Sequence, residues 1–233
     1  MNERRQTVLI TGAAGHLGRA VAAAFQQRGA RLVLLDREAG ALRQAFGGIP
    51  DAVLLGVDLL DRAQVAARVA EALAVTGGIQ ALCHVAGGFR MGEKVHETAP
   101  ETWQFLLDLN AGSLLNVCAA VVPHLIAQGA GHIVTVGAGA ALKGAADMGA
   151  YCASKSALIR LTEAMSAELR DQGIHVNCVL PSIIDTPDNR AAMPDADASR
   201  WVAPAALADV IAFLASDAAR AIHGAAIPVS GRV

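Results

Sequence analysis

TVLITGAAGHLGRA, residues 7–20, decides the fold. TVLIT is a short β-branched and aliphatic run of the kind that forms a buried strand. It leads directly into glycines at 12, 15 and 18, and the helically spaced GRAVAAAFQQRG (18–29) begins at the last of them. Glycine permits a tight turn there and lets a pyrophosphate approach backbone N–H groups at the positive end of the helix. Gly12, Gly15, His16, Leu17 and Gly18 are therefore the candidate nucleotide-binding turn. A glycine triplet alone says little, and its weight comes from the strand, turn and helix around it.

Outward from this stretch the pattern repeats. Apolar strand-like runs lie at 31–36, 52–57, 80–85, 132–136, 175–180 and 226–229, with helical spacing between them, as at 61–77 and 155–173. Such alternation gives parallel strands joined by crossover helices. Hydrophobic residues make up 54% of the 233 and aromatic ones only 3%, which suits a core of Ala, Val, Leu and Ile around a buried parallel sheet. The expectation is an α/β fold: one Rossmann-type domain over 1–233, a doubly wound sheet of about seven parallel strands with helices on both faces. The segment 181–204, rich in Pro and Asp and following a strand, reads as a substrate lid.

Composition excludes several classes. Nineteen basic and 21 acidic residues give a net charge of −2, with no basic cluster for nucleic acid or an anionic membrane. The start, MNERRQTVLITG, meets glycine too soon for a signal peptide, and no run looks long enough to span a bilayer. Cys83, Cys118, Cys152 and Cys178 stand singly in apolar segments, as thiols do in a reducing cytoplasm. Neither they nor the seven histidines have a metal-ligand spacing, so no metal is expected.

Further strand ends add to the nucleotide site. Asp36 closes the second strand, where its carboxylate would accept hydrogen bonds from ribose hydroxyls and repel a 2′-phosphate. That favours NAD(H) over NADP(H), although Arg37 offsets part of the repulsion; otherwise Asp36 is a solvated charge. Asp58, with Leu59 beside it, would face the adenine or simply shape a turn. Ala86 and Gly87 let the backbone pass close to a cofactor.

TGAAGHLG, HVAG (84–87), Asn110, YCASK (151–155) and PSIIDT (181–186) together resemble the short-chain dehydrogenase/reductase family in order and spacing, over essentially the whole chain. The resemblance implies a nicotinamide cofactor and a homodimer or homotetramer. It implies Tyr151 as general acid/base, Lys155 as its partner and ribose anchor, Asn110 as organiser of a water, and Pro181 and Thr186 at the carboxamide. On a helix, Tyr151 and Lys155 share a face, and a nearby ammonium would lower the phenol's pKa. The same spacing also suits an amphipathic surface pair, and Asn110 could instead bond a helix backbone.

The resemblance places a serine thirteen residues before the tyrosine, where this chain has Ala138. No serine occurs from 114 to 153, and Thr135 is an odd number of strand positions away. A simple ketone would then lack one hydrogen-bond donor, at a cost on the order of 10²-fold or more. Residues 134–157 and 179–201, with AGGF at 86–89, are similar to the dihydropteridine reductase branch, which lacks that serine and reduces a quinonoid pterin with NADH. Asn110 and residues 208–231 look instead like ordinary bacterial reductases. Phe89, Ala138, Met148, Asn189 and Trp201 are the candidate substrate contacts, the lid members among them equally suited to packing the lid itself. The expected function is hydride transfer from NAD(H) to a carbonyl or quinonoid small molecule. The alternative is a nonenzymatic or weakly active NAD(H)-binding sensor or scaffold, for which Ala138 is the main support.

Overall fold

A computed structural model describes residues 5–233, so the first four residues of the polar lead lie outside it. The strands are β1 (Thr7–Thr11), β2 (Arg31–Asp36), β3 (Val53–Gly56), β4 (Ala81–His84), β5 (Gly131–Val136), β6 (Ile174–Pro181) and β7 (Ala226–Val229). All pair in parallel in one sheet of order β3-β2-β1-β4-β5-β6-β7. The order reverses between β1 and β4, and open sheets of this kind bind ligands outside the carboxyl ends of the strands at that point.

Side-chain alternation along the strands divides the core. Val8 and Ile10 of β1 pack on one face with Val21 and Phe25 of α1 (His16–Gln27) and Leu207 and Ile211 of α8 (Pro204–Leu214). Leu9 packs on the other with Val65 and Val69 of α3 (Arg62–Thr76), Val117 and Val121 of α5 (Ser113–Gln128) and Leu158 of α6 (Gly149–Leu169). The inner strands β1, β2, β4, β5 and β6 are buried on both faces, hence their largely apolar runs.

Three elements differ from the expectation. The helix that the spacing predicts at 155–173 starts at Gly149, so Tyr151 and Lys155 both lie within it. The lid is not uniformly irregular: it holds α7 (Pro187–Ala192), started by a Thr186 hydroxyl cap on the Asn189 N–H, and a 3-10 turn at Ala198–Arg200. Two further helices, α2 (Ala39–Phe46) and α4 (Pro100–Leu107), complete the set. The run Pro100–Gln128 is helical throughout and, by length and composition, long and apolar enough to cross a membrane. The sequence reading finds no such run because Asp108, Asn110 and Asn116 interrupt it. Here 44% of the run's most apolar stretch is buried inside the protein, against α3 and α6.

At the amino edge of the sheet the rings of His132 and His175 stack, 5.1 Å between centroids, and His223 lies 4.5 Å from His175. The Nδ1 atoms of His132 and His175 are buried without hydrogen-bond partners among the described residues. Burial, then the neighbouring ring, hold both histidines below their ordinary pKa, with Asp217 acting weakly the other way. The unfolded chain therefore binds protons below about pH 6.5 that the folded chain refuses. Stability should be flat above about pH 7 and fall as pH drops from 6.5. Urea midpoints between pH 8 and 4 check this, and His132→Phe should make the acid slope shallower.

Candidate active site

The turn after β1 is shaped as the glycines require. Gly12 has φ of 63°, and a methyl carbon there would lie 2.9 Å from Ala86 Cα, where the β4 end crosses the turn. At Gly18 it would enter the Gly12 carbonyl oxygen and lie 2.7 Å from Ala13 Cα, so helix and turn touch backbone to backbone. Gly18→Ala should therefore destabilise the chain by about 1–3 kcal/mol or more and abolish dinucleotide binding. A melting curve with an NADH titration checks both parts.

Gly15 starts α1 without a side-chain cap, and beyond the Gly12 carbonyl its flank is open. Among the described residues, the first N–H groups of this twelve-residue helix thus have no side-chain partner at the position where an anion would bind. Leu17 points into the core and His16 stands exposed, 3.9 Å from Asp188 of the lid helix. Asp36 Oδ2 accepts the Ala14 N–H at 2.9 Å, so the carboxylate both ties β2 to the glycine turn and stands at its rim. Asp58 accepts the Leu60 N–H at 2.9 Å, forming a local turn, and Leu59 is buried in the core.

Tyr151, Lys155 and Asn110 converge at the carboxyl edge of β4 and β5. Lys155 is buried and its Nζ donates to the Val136 carbonyl at 2.8 Å. Asn110 is fully buried: its Oδ1 accepts the Gly88 N–H at 2.8 Å, and its Nδ2 donates to the Gly88 carbonyl and to Ser154 Oγ at 3.0 and 2.9 Å. The carboxamide therefore braces the Gly87–Gly88 turn rather than bonding its own helix. A methyl carbon on Gly87 would sit 2.9 Å from both Asn110 Oδ1 and Lys155 Nζ, which brings the three groups into one cluster. The Tyr151 ring meets Phe89 edge to face at 4.8 Å.

One electrostatic expectation is corrected. Burial, followed by Cys152, pushes the Tyr151 phenol up to about 12. Lys155 shares its helix face but extends to the Val136 carbonyl, and burial brings its own pKa down to about 8. A buried ammonium turned toward a carbonyl does not acidify the phenol. Tyr151 is thus protonated at neutral pH, the state a proton donor needs.

Ala138 is buried, with extended backbone angles of −159° and 143° at the start of a short 3-10 turn. Thr135 bonds Thr162 Oγ1 of α6 at 2.9 Å, while Ser154 and Ser156 donate to the Tyr151 and Ala141 carbonyls. Met148 lines a partly open cavity of about 180 Å³ with Arg90, Glu93, Thr98, Thr102 and Asp147, next to the start of α6. Arg90 stacks its guanidinium 3.9 Å over Phe105, and Glu93 is held by the Ala99 N–H and the Thr102 hydroxyl. This cavity was not legible in the sequence, because Arg90 and Glu93 meet Asp147 across two separate loops.

In the lid, Asn189 donates to the Ile184 carbonyl at 2.8 Å and Trp201 is buried, so both pack the lid itself. Arg190 pairs with Asp185 through two bonds. Pro181 ends β6, its carbonyl oxygen 3.5 Å from a methyl carbon placed on Gly139. The Thr186 hydroxyl oxygen caps α7, which leaves its hydrogen free to donate.

Known proteins are similar to this chain in sequence and in fold. The chain is 30% identical over 243 residues to 2-(R)-hydroxypropyl-CoM dehydrogenase of Xanthobacter autotrophicus, covering 97% of each. It is 31% identical to D-threitol dehydrogenase of Mycolicibacterium smegmatis, over 97% of this chain and 92% of that one. A crystal structure of 3-ketoacyl-(acyl-carrier-protein) reductase from Brucella melitensis complexed with NADH superposes with a TM-score of 0.89 at 27% identity, covering 97% of this chain and 98% of the other. The family model for short chain dehydrogenases matches residues 6–197. With its seven-stranded parallel sheet, glycine turn and Tyr151–Lys155 helix, the chain belongs to the short-chain dehydrogenase/reductase family of oxidoreductases.

Proposed function

We propose that the protein reduces a small carbonyl or quinonoid, pterin-like compound at the expense of a nicotinamide cofactor, NAD(H) rather than NADP(H). The observation that carries the reading is the gathering of Tyr151, Lys155 and Asn110 at the sheet edge that also holds the glycine turn. The residues fit a dinucleotide: the uncapped start of α1, the open flank of Gly15 and the Asp36 carboxylate are what its pyrophosphate and ribose require. When bound, the cofactor supplies the hydride.

The chain supplies the rest. Tyr151 holds its proton at Oη and passes it to the acceptor atom that becomes electron-rich. Lys155, fixed to the Val136 carbonyl, would serve as a cation for a ribose or for the tyrosinate left behind. Asn110 keeps the Gly87–Gly88 turn in place, and Phe89 gives Tyr151 an aromatic wall. Ala138 offers no hydroxyl, which favours a conjugated acceptor already inclined to take electrons over a plain ketone. The resemblance to pterin reductases read from the sequence of residues 134–157 and 179–201 points to the same choice.

The test is oxidation of NADH and of NADPH with quinonoid dihydropterin, quinones and simple ketones. Faster NADH oxidation with a conjugated acceptor is expected. NADH binding without turnover of any acceptor would favour the sensor reading, which retained Tyr151 and Lys155 and kinship to dehydrogenases oppose. Four unpaired, buried cysteines agree with a cytoplasmic location. We also read the protein as a homodimer or homotetramer, since Trp103, Leu115 and Ile126 leave apolar surface exposed on α4 and α5. Light scattering tests that.

A further inference from the structure

His84 is fully buried at the last position of β4, and its two ring nitrogens have different partners. Nδ1 lies 3.1 Å from Thr11 Oγ1, and Nε2 lies 3.1 Å from Ser113 Oγ. The hydroxyls fix the direction of each bond. Ser113 gives its hydrogen to the Leu109 carbonyl at 2.6 Å, so only its lone pairs face the ring and Nε2 carries the proton. Thr11 Oγ1 accepts the Ala86 N–H at 3.2 Å, and its hydrogen is left for Nδ1. One neutral tautomer satisfies every atom: Ala86 donates to Thr11, Thr11 to His84, His84 to Ser113, Ser113 to Leu109. Burial, and then the charge of Lys155, hold the ring's pKa down at about 3, so this tautomer persists at any working pH.

The far end of the chain of bonds matters for the site. Residues Asp108–Gly112 form a π turn between α4 and α5, in which the Ser113 N–H reaches back to the Asp108 carbonyl. In a regular helix that N–H would bond Leu109. The Leu109 carbonyl is thereby freed inside the protein, and the Ser113 hydroxyl takes it up. The turn also carries Asn110 to Gly88 and Ser154. A π turn is rare and occurs mostly as a single turn inside α-helices, frequently at functional sites.

We propose that His84 is a positioning residue: by orienting the Ser113 hydroxyl it stabilises the π turn that holds Asn110, and through Asn110 the Gly87–Gly88 turn beside Lys155. The proposal rests on the functional reading above only in its catalytic consequence; the structural link stands apart from it.

The experiment compares wild type with His84→Gln, His84→Asn and Ser113→Ala by amide hydrogen exchange and by NADH titration. A glutamine amide can reach the place of Nε2 and donate to Ser113, whereas asparagine reaches only the place of Nδ1. In His84→Asn and Ser113→Ala, peptides spanning 107–114 should exchange up to about tenfold faster, while α3 and α8 keep wild-type rates. His84→Gln should recover most of the protection. The double variant His84→Asn/Ser113→Ala should be no worse than Ser113→Ala alone. With an acceptor that wild type reduces, kcat should fall in His84→Asn and Ser113→Ala, KM for NADH should hold, and His84→Gln should keep most of the wild-type kcat. Faster exchange spread over the whole chain, or unchanged exchange at 107–114, overturns the proposal. If wild type reduces nothing, the functional reading fails and the exchange data alone decide the role of His84.

Discussion

Tyr151→Phe is expected to lower turnover about 10²- to 10⁴-fold with every acceptor the wild type reduces, and to leave NADH affinity within about threefold. The substitution removes a single oxygen. The ring that remains still meets Phe89 edge to face, and neither Lys155 nor Asn110 hydrogen-bonds the phenol, so their own contacts with Val136, Gly88 and Ser154 survive. What is lost is the proton at the place where negative charge develops. Because burial pushes the phenol up to about 12, the basic limb of the wild-type reductive profile should come from Lys155, near 8. Stopped-flow or steady-state NADH oxidation, with calorimetry for binding, measures both quantities. Turnover unchanged by the substitution would remove Tyr151 from the chemistry.

The sequence makes the fold legible because the inner strands β1, β2, β4, β5 and β6 are buried on both faces and so read as largely apolar runs; all seven runs overlap observed strands, the half-buried edge strands β3 and β7 included. The nucleotide turn is equally visible, since Gly12 and Gly18 are demanded by backbone contacts that no other residue allows. Legibility fails where an element is stabilised from a distance. The π turn at Asp108–Gly112 leaves helical spacing almost intact on either side, and what holds it comes from Ser113 and from His84 on a strand of the central sheet. A lone histidine in QALCHV reads as a core residue, which it also is. The one available signal is that a polar ring ends an apolar strand beside a candidate site. Tyr151 and Lys155 show the converse: their spacing predicts the shared face, but not that the lysine would reach a carbonyl instead of the phenol. In the lid, the sequence leaves contact and self-packing open for Asn189 and Trp201, and local bonds favour packing.

Ala138→Ser is expected to raise turnover of simple ketones by up to about 10²-fold while changing conjugated acceptors far less. The backbone poses no obstacle: Ala138 is extended, at −159° and 143°, a conformation serine adopts freely, and it already opens a 3-10 turn in the way serine often caps one. Its burial means a new hydroxyl is shielded from bulk water and needs a partner, which a substrate oxygen would provide. Without substrate the variant should lose about 1–3 kcal/mol of stability for the unpaired hydroxyl. A competing partner such as the Pro181 carbonyl, 3.5 Å from where a methyl carbon on neighbouring Gly139 would lie, would reduce both effects together. Thermal melts and a ketone series therefore read the same hydroxyl in two ways. A plain ketone depends on donors to stabilise charge gathering on one oxygen, whereas a quinonoid ring spreads that charge over its conjugated atoms. A variant that gains nothing with ketones would mean that acceptor shape, and not the absent hydroxyl, limits them.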